Sequence, residues 1–232
     1  MDGINLNNVT LRYNTNNNNH IVLNNINIAI NKREFTVILG KSGCGKTSIL
    51  RIIKGLEQNF SGTVETNNLK IAYIFQEPRL MSWLNIEDNI SFALNPKEIN
   101  KHKINNLIKM VDLEKFKKSY PYELSGGMQS RVSIARALAY SPEFLLMDEP
   151  FAALDYFTRN NMQEELLKLY KKNNWGVLFV THSIDEAIKL ADRILIMSDG
   201  KIKKSIKLSN KKINFLSEEF IKIKKLILEE LK

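Results

Sequence analysis

The residues of this chain best suited to hold phosphate stand in one run, Gly40-Lys41-Ser42-Gly43-Cys44-Gly45-Lys46-Thr47, with Ser48 directly after it. Glycines let a backbone turn tightly enough to aim several N–H groups inward. Lys46 carries the charge to reach β- and γ-phosphates, and the Thr47 hydroxyl is a ligand for Mg²⁺. A second group is the carboxylate pair Asp148-Glu149, followed by Pro150. Asp148 suits Mg²⁺ held through its water shell, and Glu149 is placed to polarise an attacking water. A third is Leu124-Ser125-Gly126-Gly127-Met128-Gln129, a second glycine-rich helix start whose N–H groups and Ser125 hydroxyl can clasp another phosphate. The chain thus carries two half-sites for phosphate, which points to a nucleoside triphosphate.

The stretches around these groups predict the elements that position them. Phe35-Thr36-Val37-Ile38-Leu39 reads as a buried strand before the first loop, and Ser48-Ile49-Leu50-Arg51-Ile52-Ile53 as the helix after it. Phe144-Leu145-Leu146-Met147 is a second such strand and ends at Asp148; Val177-Leu178-Phe179-Val180 is a third and leads to Thr181-His182-Ser183. Open α/β sheets bind ligands at the C-terminal ends of their strands, where all these residues then fall. Three assignments have structural rivals. His182 could cap the helix after it, Gln76 could be an ordinary amide ending the strand Ile71-Ala72-Tyr73-Ile74-Phe75, and Tyr13 could be core at the end of an N-terminal strand. His20 and His102 stand among Asn and Lys and read as surface residues.

Taken together, these motifs resemble the ATP-binding subunit of an ABC transporter, almost end to end. Gly40 to Thr47 resembles the family's Walker A loop, Gln76 its Q-loop glutamine and Leu124 to Gln129 its LSGGQ-type signature. Phe144 to Glu149 resembles Walker B with its catalytic glutamate, Ala153-Leu154-Asp155 the D-loop, His182 the H-loop histidine, and Tyr13 the aromatic that stacks on adenine. The resemblance implies an α/β fold: a P-loop NTPase, RecA-like core with an antiparallel β-subdomain and an inserted α-helical subdomain. Residues 1–232 would form a single ATP-binding domain, with roughly Glu87 to Leu138 as the insert. It also implies a mechanism with ATP and Mg²⁺, the latter contacted by Thr47, Gln76 and Asp148. Two subunits would meet head to tail, so that Ser125, Gly126 and Gly127 act on a nucleotide held by the other chain's loop. Closure would set the γ-phosphate against Glu149 and His182, and hydrolysis would part the chains. Two positions depart from the family pattern: Ser130 stands where a glutamine is common, and Ala152-Ala153 where a serine or glycine is common in one place.

Composition narrows the setting. The formal charge of +9 would suit nucleic acid, yet the lysines are spread among Asn and Ile without an aromatic platform for bases, so no nucleic-acid partner is expected. No apolar run approaches a membrane span, and Met1-Asp2-Gly3 opens no signal segment. The expectation is a protein peripheral to the cytoplasmic face of the cell membrane. One cysteine excludes an internal disulfide; Cys44, inside the loop, reads as packing first and as an oxidation or alkylation liability second. The run Asn14 to Asn19 reads as a turn between two N-terminal strands, and Leu216, Phe220, Ile223, Ile227 and Leu231 as one face of an amphipathic C-terminal helix packing on the core.

The stretch Glu77 to Ile90, with Glu149 to Asp155 and Thr181 to Ala187, resembles subunits of the nitrate, sulfonate and taurine import group. Expected partners are a second ATPase subunit, as a homodimer, separate transmembrane permease subunits and a solute-binding protein. The same residues leave open importers of polyamines or osmolytes, a regulatory ATPase of the cell-division type, and an ATP-holding clamp with slow turnover. Trp83 fits two readings, an anchor in the groove that receives a coupling helix of the permease, or core of the helical insert.

Overall fold

Four apolar runs of the sequence become strands with both faces covered. The computed structural model describes residues 3–15, 18–173, 175–208 and 217–231. The described residues divide into two compact units, residues 1–71, 144–148 and 175–232 in the first and residues 72–143 and 149–174 in the second.

The first unit opens on a long hairpin, β1 (Gly3–Thr15) and β2 (Asn18–Asn31), paired antiparallel; β4 (Phe60–Glu65) adds to the other edge of β1. Ile4, Leu6, Val9 and Leu11 of β1 and Leu23, Ile26, Ile28 and Ile30 of β2 are buried, which gives the ribbon its apolar face. The strands run further into the asparagine tract than a turn over 14–19 allows: Asn14 pairs with Asn19 and Thr15 with Asn18, while residues 16 and 17 lie outside the described residues. Cross-strand pairing overrides the poor strand preference of asparagine here. Asn8 and Asn25 take φ of 52° and 54° where the register shifts, a backbone that asparagine tolerates better than most residues.

Beside this, five strands of a second sheet run in the order β6 (Phe144–Asp148), β7 (Gly176–Thr181), β3 (Phe35–Leu39), β8 (Arg193–Ser198), β9 (Lys201–Lys207). The first four are parallel, and every residue of β3, β6 and β7 is buried, as continuous apolar runs demand. β9 is an antiparallel edge strand with Lys201, Lys203 and Lys207 exposed, charges that discourage edge-to-edge pairing. Helices α1 (Lys46–Ile53), α6 (Ile184–Leu190) and α7 (Glu218–Glu230) complete the unit. α7 buries Phe220 and Ile227, and Lys224 pairs with Asp185 of α6 at 2.6 Å; Leu216, expected on its apolar face, lies outside the described residues.

β5 (Ile71–Ile74) leads into the second unit, which is helical: α2 (Ile86–Ser91), α3 (Lys101–Met110), α4 (Gly126–Ala139) and α5 (Tyr156–Asn173). α2 to α4 fall in or at the ends of the stretch expected to be an insert, and the unit also takes in 72–86, 139–143 and 149–174. Asn85, Asn100 and Ser125 cap α2, α3 and α4 by accepting from Asp88, Lys103 and Met128 N–H groups. Asn89, buried in α2, donates to the Met81 and Leu84 carbonyls and accepts from Met81 N, fixing the turn that carries Trp83. No helix of the described residues is long and apolar enough to cross a membrane.

Candidate functional site

Strand register brings the sequence's chemistry to one edge of the first unit. β3 ends with Leu39 beside Thr181, and β6 ends with Asp148 beside Val180, so Gly40, Asp148 and His182 leave their strands at the same C-terminal edge. From Gly40 the chain turns into α1, which starts at Lys46. Gly45, before that helix, has φ +106°, and a Cβ there would come within 2.8 Å of the Val22 carbonyl oxygen and 2.7 Å of Leu23; only glycine fits. Lys41, Ser42, Gly43 and Thr47 are exposed, Cys44 and Ser48 half-buried, and Gly40, Gly45 and Lys46 buried. The Lys46 ammonium reaches back across the loop to donate to the Gly40 and Lys41 carbonyls at 2.8 and 2.9 Å. A buried cation thereby crosses the loop at a helix N-terminus, where unpaired N–H groups and the helix dipole favour phosphate.

Thr47 Oγ1 donates to Asp148 Oδ1 at 3.0 Å, although the two are 101 positions apart in sequence. Asp148 is 3% exposed. These are two hard oxygen donors at one spot beside the phosphate loop, a set that fits Mg²⁺, which keeps much of its water shell and takes few protein ligands. No group of three or more His, Cys, Asp or Glu able to hold a metal occurs among the described residues.

His182 is exposed, and the helix cap that was its rival role belongs to Ser183, whose hydroxyl accepts from Glu186 N. The Thr181 hydroxyl donates to Glu186 Oε2 at 2.6 Å and accepts from Ser183 N at 3.0 Å, so the turn holding His182 is pinned on both sides. Glu186 was not singled out in the sequence; its place three residues after a cap serine, as in a capping box, is the signal for it. Tyr13 is 41% exposed, which removes it from the core, and its hydroxyl donates to Glu57 at 2.9 Å. Partial burial and that carboxylate raise the Tyr13 pKa above the usual phenol range. Burial likewise raises the Cys44 thiol, with the Lys46 charge opposing it.

In the second unit, Glu149 follows Asp148 with φ 44°, left-handed backbone that is costly outside glycine and that concentrates at functional positions. Gln76, exposed, follows β5. Ser125 and Gly126 are exposed and Gly127 half-buried at the start of α4. A Cβ on Gly127 would come 3.2 Å from the Ala153 carbonyl oxygen, so the start of α4 packs closely on residues 153–154. Arg159 holds the D-loop by donating to the Leu154 and Phe151 carbonyls at 2.6 and 3.3 Å, and Asp155 caps α5 through Phe157 N and Thr158 N. Ser130, the departure from the family pattern, is buried and donates to the Gly126 carbonyl at 3.1 Å, while Gln129 donates to the Pro121 and Leu124 carbonyls. The hydroxyl is satisfied inside its own helix. Trp83 is 69% exposed, which excludes the reading that buries it in the helical core.

Comparison with known proteins agrees. The sequence model of the family described as ABC transporter matches residues 23–152. The chain is 44% identical to an uncharacterized ABC transporter ATP-binding protein of Methanocaldococcus jannaschii, over 97% of this chain and 90% of the relative. It is also 44% identical to the aliphatic sulfonates import ATP-binding protein SsuB of Bacillus cereus, over 90% of this chain and 88% of that protein. A solved dimeric structure of an ATP-binding cassette in a post-hydrolysis state, bound to ADP and Pi, superposes with a TM-score of 0.81 at 33% identity, covering 89% of this chain and 99% of the other.

Proposed function

On the premise that this chain belongs to the ABC transporter family and is an ATP hydrolase with that family's cassette fold, we propose that it is the ATPase subunit of an importer. The observation that carries its chemistry is the 3.0 Å contact of Thr47 with Asp148 beside a buried lysine that crosses the phosphate loop. In this reading Lys46, the loop N–H groups and Ser48 hold the triphosphate, and Tyr13 stacks on adenine. Thr47, Gln76 and Asp148 are the proposed contacts of Mg²⁺, and the ion when bound neutralises charge on the phosphate oxygens. Glu149 takes the proton of the attacking water, and His182 orients the γ-phosphate. Ser125, Gly126 and Gly127 at the N-terminus of α4 clasp the nucleotide of a second copy. Binding closes the pair and loss of the γ-phosphate opens it, the order-and-release logic of nucleotide switches. The helices from roughly Glu87 to Leu138 form the insert of one domain spanning the chain.

The solute reading rests on relatives: proteins named for aliphatic sulfonate import in Bacillus cereus and Bacillus subtilis are 44% and 46% identical. A small anion of the nitrate, sulfonate or taurine type is therefore the proposed cargo, moved through separate permease subunits and delivered by a solute-binding protein. Exposed Trp83 supports a seat for the permease at the segment after Gln76. Such a subunit works at the cytoplasmic face of the membrane without entering it. The test is uptake into proteoliposomes that hold the permease with this chain and ATP inside. ATP-dependent accumulation of an alkanesulfonate over a polyamine or betaine supports the reading. Hydrolysis that moves no solute favours the regulatory alternative.

A further inference from the structure

The helix that begins at the signature loop carries an arginine whose targets are 57 and 58 positions away. On α4, Arg136 Nη1 donates to the Arg79 carbonyl at 2.9 Å and Nη2 to the Pro78 carbonyl at 2.8 Å. A planar guanidinium spanning two successive carbonyls is a bidentate clamp on main chain, more directional than one ammonium could be. The clamped segment is itself tense: Arg79 has φ 45°, left-handed backbone that persists only where surroundings impose it. The Arg79 guanidinium in turn lies 4.2 Å from the centroid of the Phe75 ring, and Phe75 is the residue directly before Gln76. The segment 75–79 is thus closed on itself at one end and bolted to α4 at the other. α4 is a stiff carrier, since Arg131 ties it to the end of α3 through the Val111 and Asp112 carbonyls at 2.7 and 3.2 Å.

We propose that Arg136 is a positioning residue that makes Gln76 and the signature loop move as one body. A shift of Gln76 on meeting the nucleotide's γ-phosphate pulls the Pro78 and Arg79 carbonyls, and through the fork it swings α4 and the Ser125-Gly126-Gly127 turn at its start. Readiness for the second copy thereby depends on what the chain's own nucleotide carries. The clamp grips main chain, so the side chains at 78 and 79 can vary while the link persists. This inference rests on the proposed roles of Gln76 and the signature loop.

The test uses the full chain with Glu149→Gln as parent, and adds Arg136→Ala and Arg136→Lys to it. Fluorescent mant-ATP binding and ATP-dependent dimerisation are measured in parallel. The expected result is mant-ATP affinity within about twofold of the parent for both variants, because the phosphate loop is untouched. The ATP concentration for half-maximal dimerisation rises roughly tenfold in Arg136→Ala, in the range of ordinary site-to-site coupling. Arg136→Lys, which keeps the charge and loses the fork, falls between. In the Glu149 background, Arg136→Lys raises the KM for ATP by roughly the factor by which its dimerisation midpoint rises, with kcat held within about twofold. Equal dimerisation midpoints in parent and both variants overturn the inference and leave the proposed function standing. Loss of mant-ATP binding along with dimerisation in Arg136→Lys also overturns it, in favour of a general packing role. A parent that never dimerises overturns the proposed function and this inference together.

Discussion

Replacing Gly45 with alanine tests the phosphate loop at the point where backbone and packing both forbid a side chain. Gly45 has φ +106°, and an added Cβ would meet Leu23 Cδ2 at 2.7 Å, the Val22 carbonyl oxygen at 2.8 Å and Met197 Cε at 2.9 Å. The two side-chain tips can move aside, whereas Val22 belongs to β2 and its carbonyl moves only with the strand. Left-handed backbone at a residue with a Cβ costs about 1–3 kcal/mol, and forcing a methyl into filled space adds about 1–3 kcal/mol. Gly43 supplies the control. Its φ is +80° and nothing lies within 4 Å of a Cβ, so Gly43→Ala carries the backbone cost alone. The two alanine variants should therefore differ by about 2 kcal/mol. In urea unfolding with equal slopes, at about 2 kcal/mol per molar, that places the Gly45→Ala midpoint about 1 M below that of Gly43→Ala. Equal midpoints would refute the argument that the β2 carbonyl closes this loop from behind.

Two further outcomes follow from exposure and charge. Trp83→Ala should change stability by less than about 0.5 kcal/mol, since an exposed side chain packs little, and leave ATP hydrolysis of the isolated chain intact while abolishing uptake in proteoliposomes; a variant that unfolds contradicts its place on the surface. Cys44, with its thiol raised by burial, should alkylate slowly with iodoacetamide at pH 7 and faster as pH rises past the free-thiol value of about 8.5, with ATP protecting it. Rapid labelling at pH 7 contradicts that environment.

What was legible in the sequence was whatever depends on chain neighbours. β3, β6 and β7 read directly from unbroken apolar runs, and with them the edge where Gly40, Asp148 and His182 emerge, because a parallel sheet fixes which strand end faces the ligand. The helix start at Ser125 was legible from its glycine run, whereas the cap of α6 falls to Ser183 and not to His182, the residue the sequence offered for it. The hairpin was not legible at its tip, since Asn14 and Asn19 have turn character alone and become strand only when paired. Trp83 could not be placed either: an aromatic among apolar residues is compatible with core and with surface, and only the fold leaves it 69% exposed. Arg136 carried no local signal, because its partners are carbonyl oxygens brought to it by the chain's return. Glu57 was silent for the same reason; its role is set by Tyr13 reaching it across 44 positions.

The central claim, that ATP binds between two copies and that Glu149 drives its hydrolysis, is tested most directly by size-exclusion chromatography of wild type and Glu149→Gln in Mg²⁺-ATP, paired with phosphate release. Glu149→Gln should elute as a dimer only with ATP, and its phosphate release should fall by about 10² to 10⁴, the contribution of a general base. A mutant that stays monomeric and releases phosphate at the wild-type rate contradicts it.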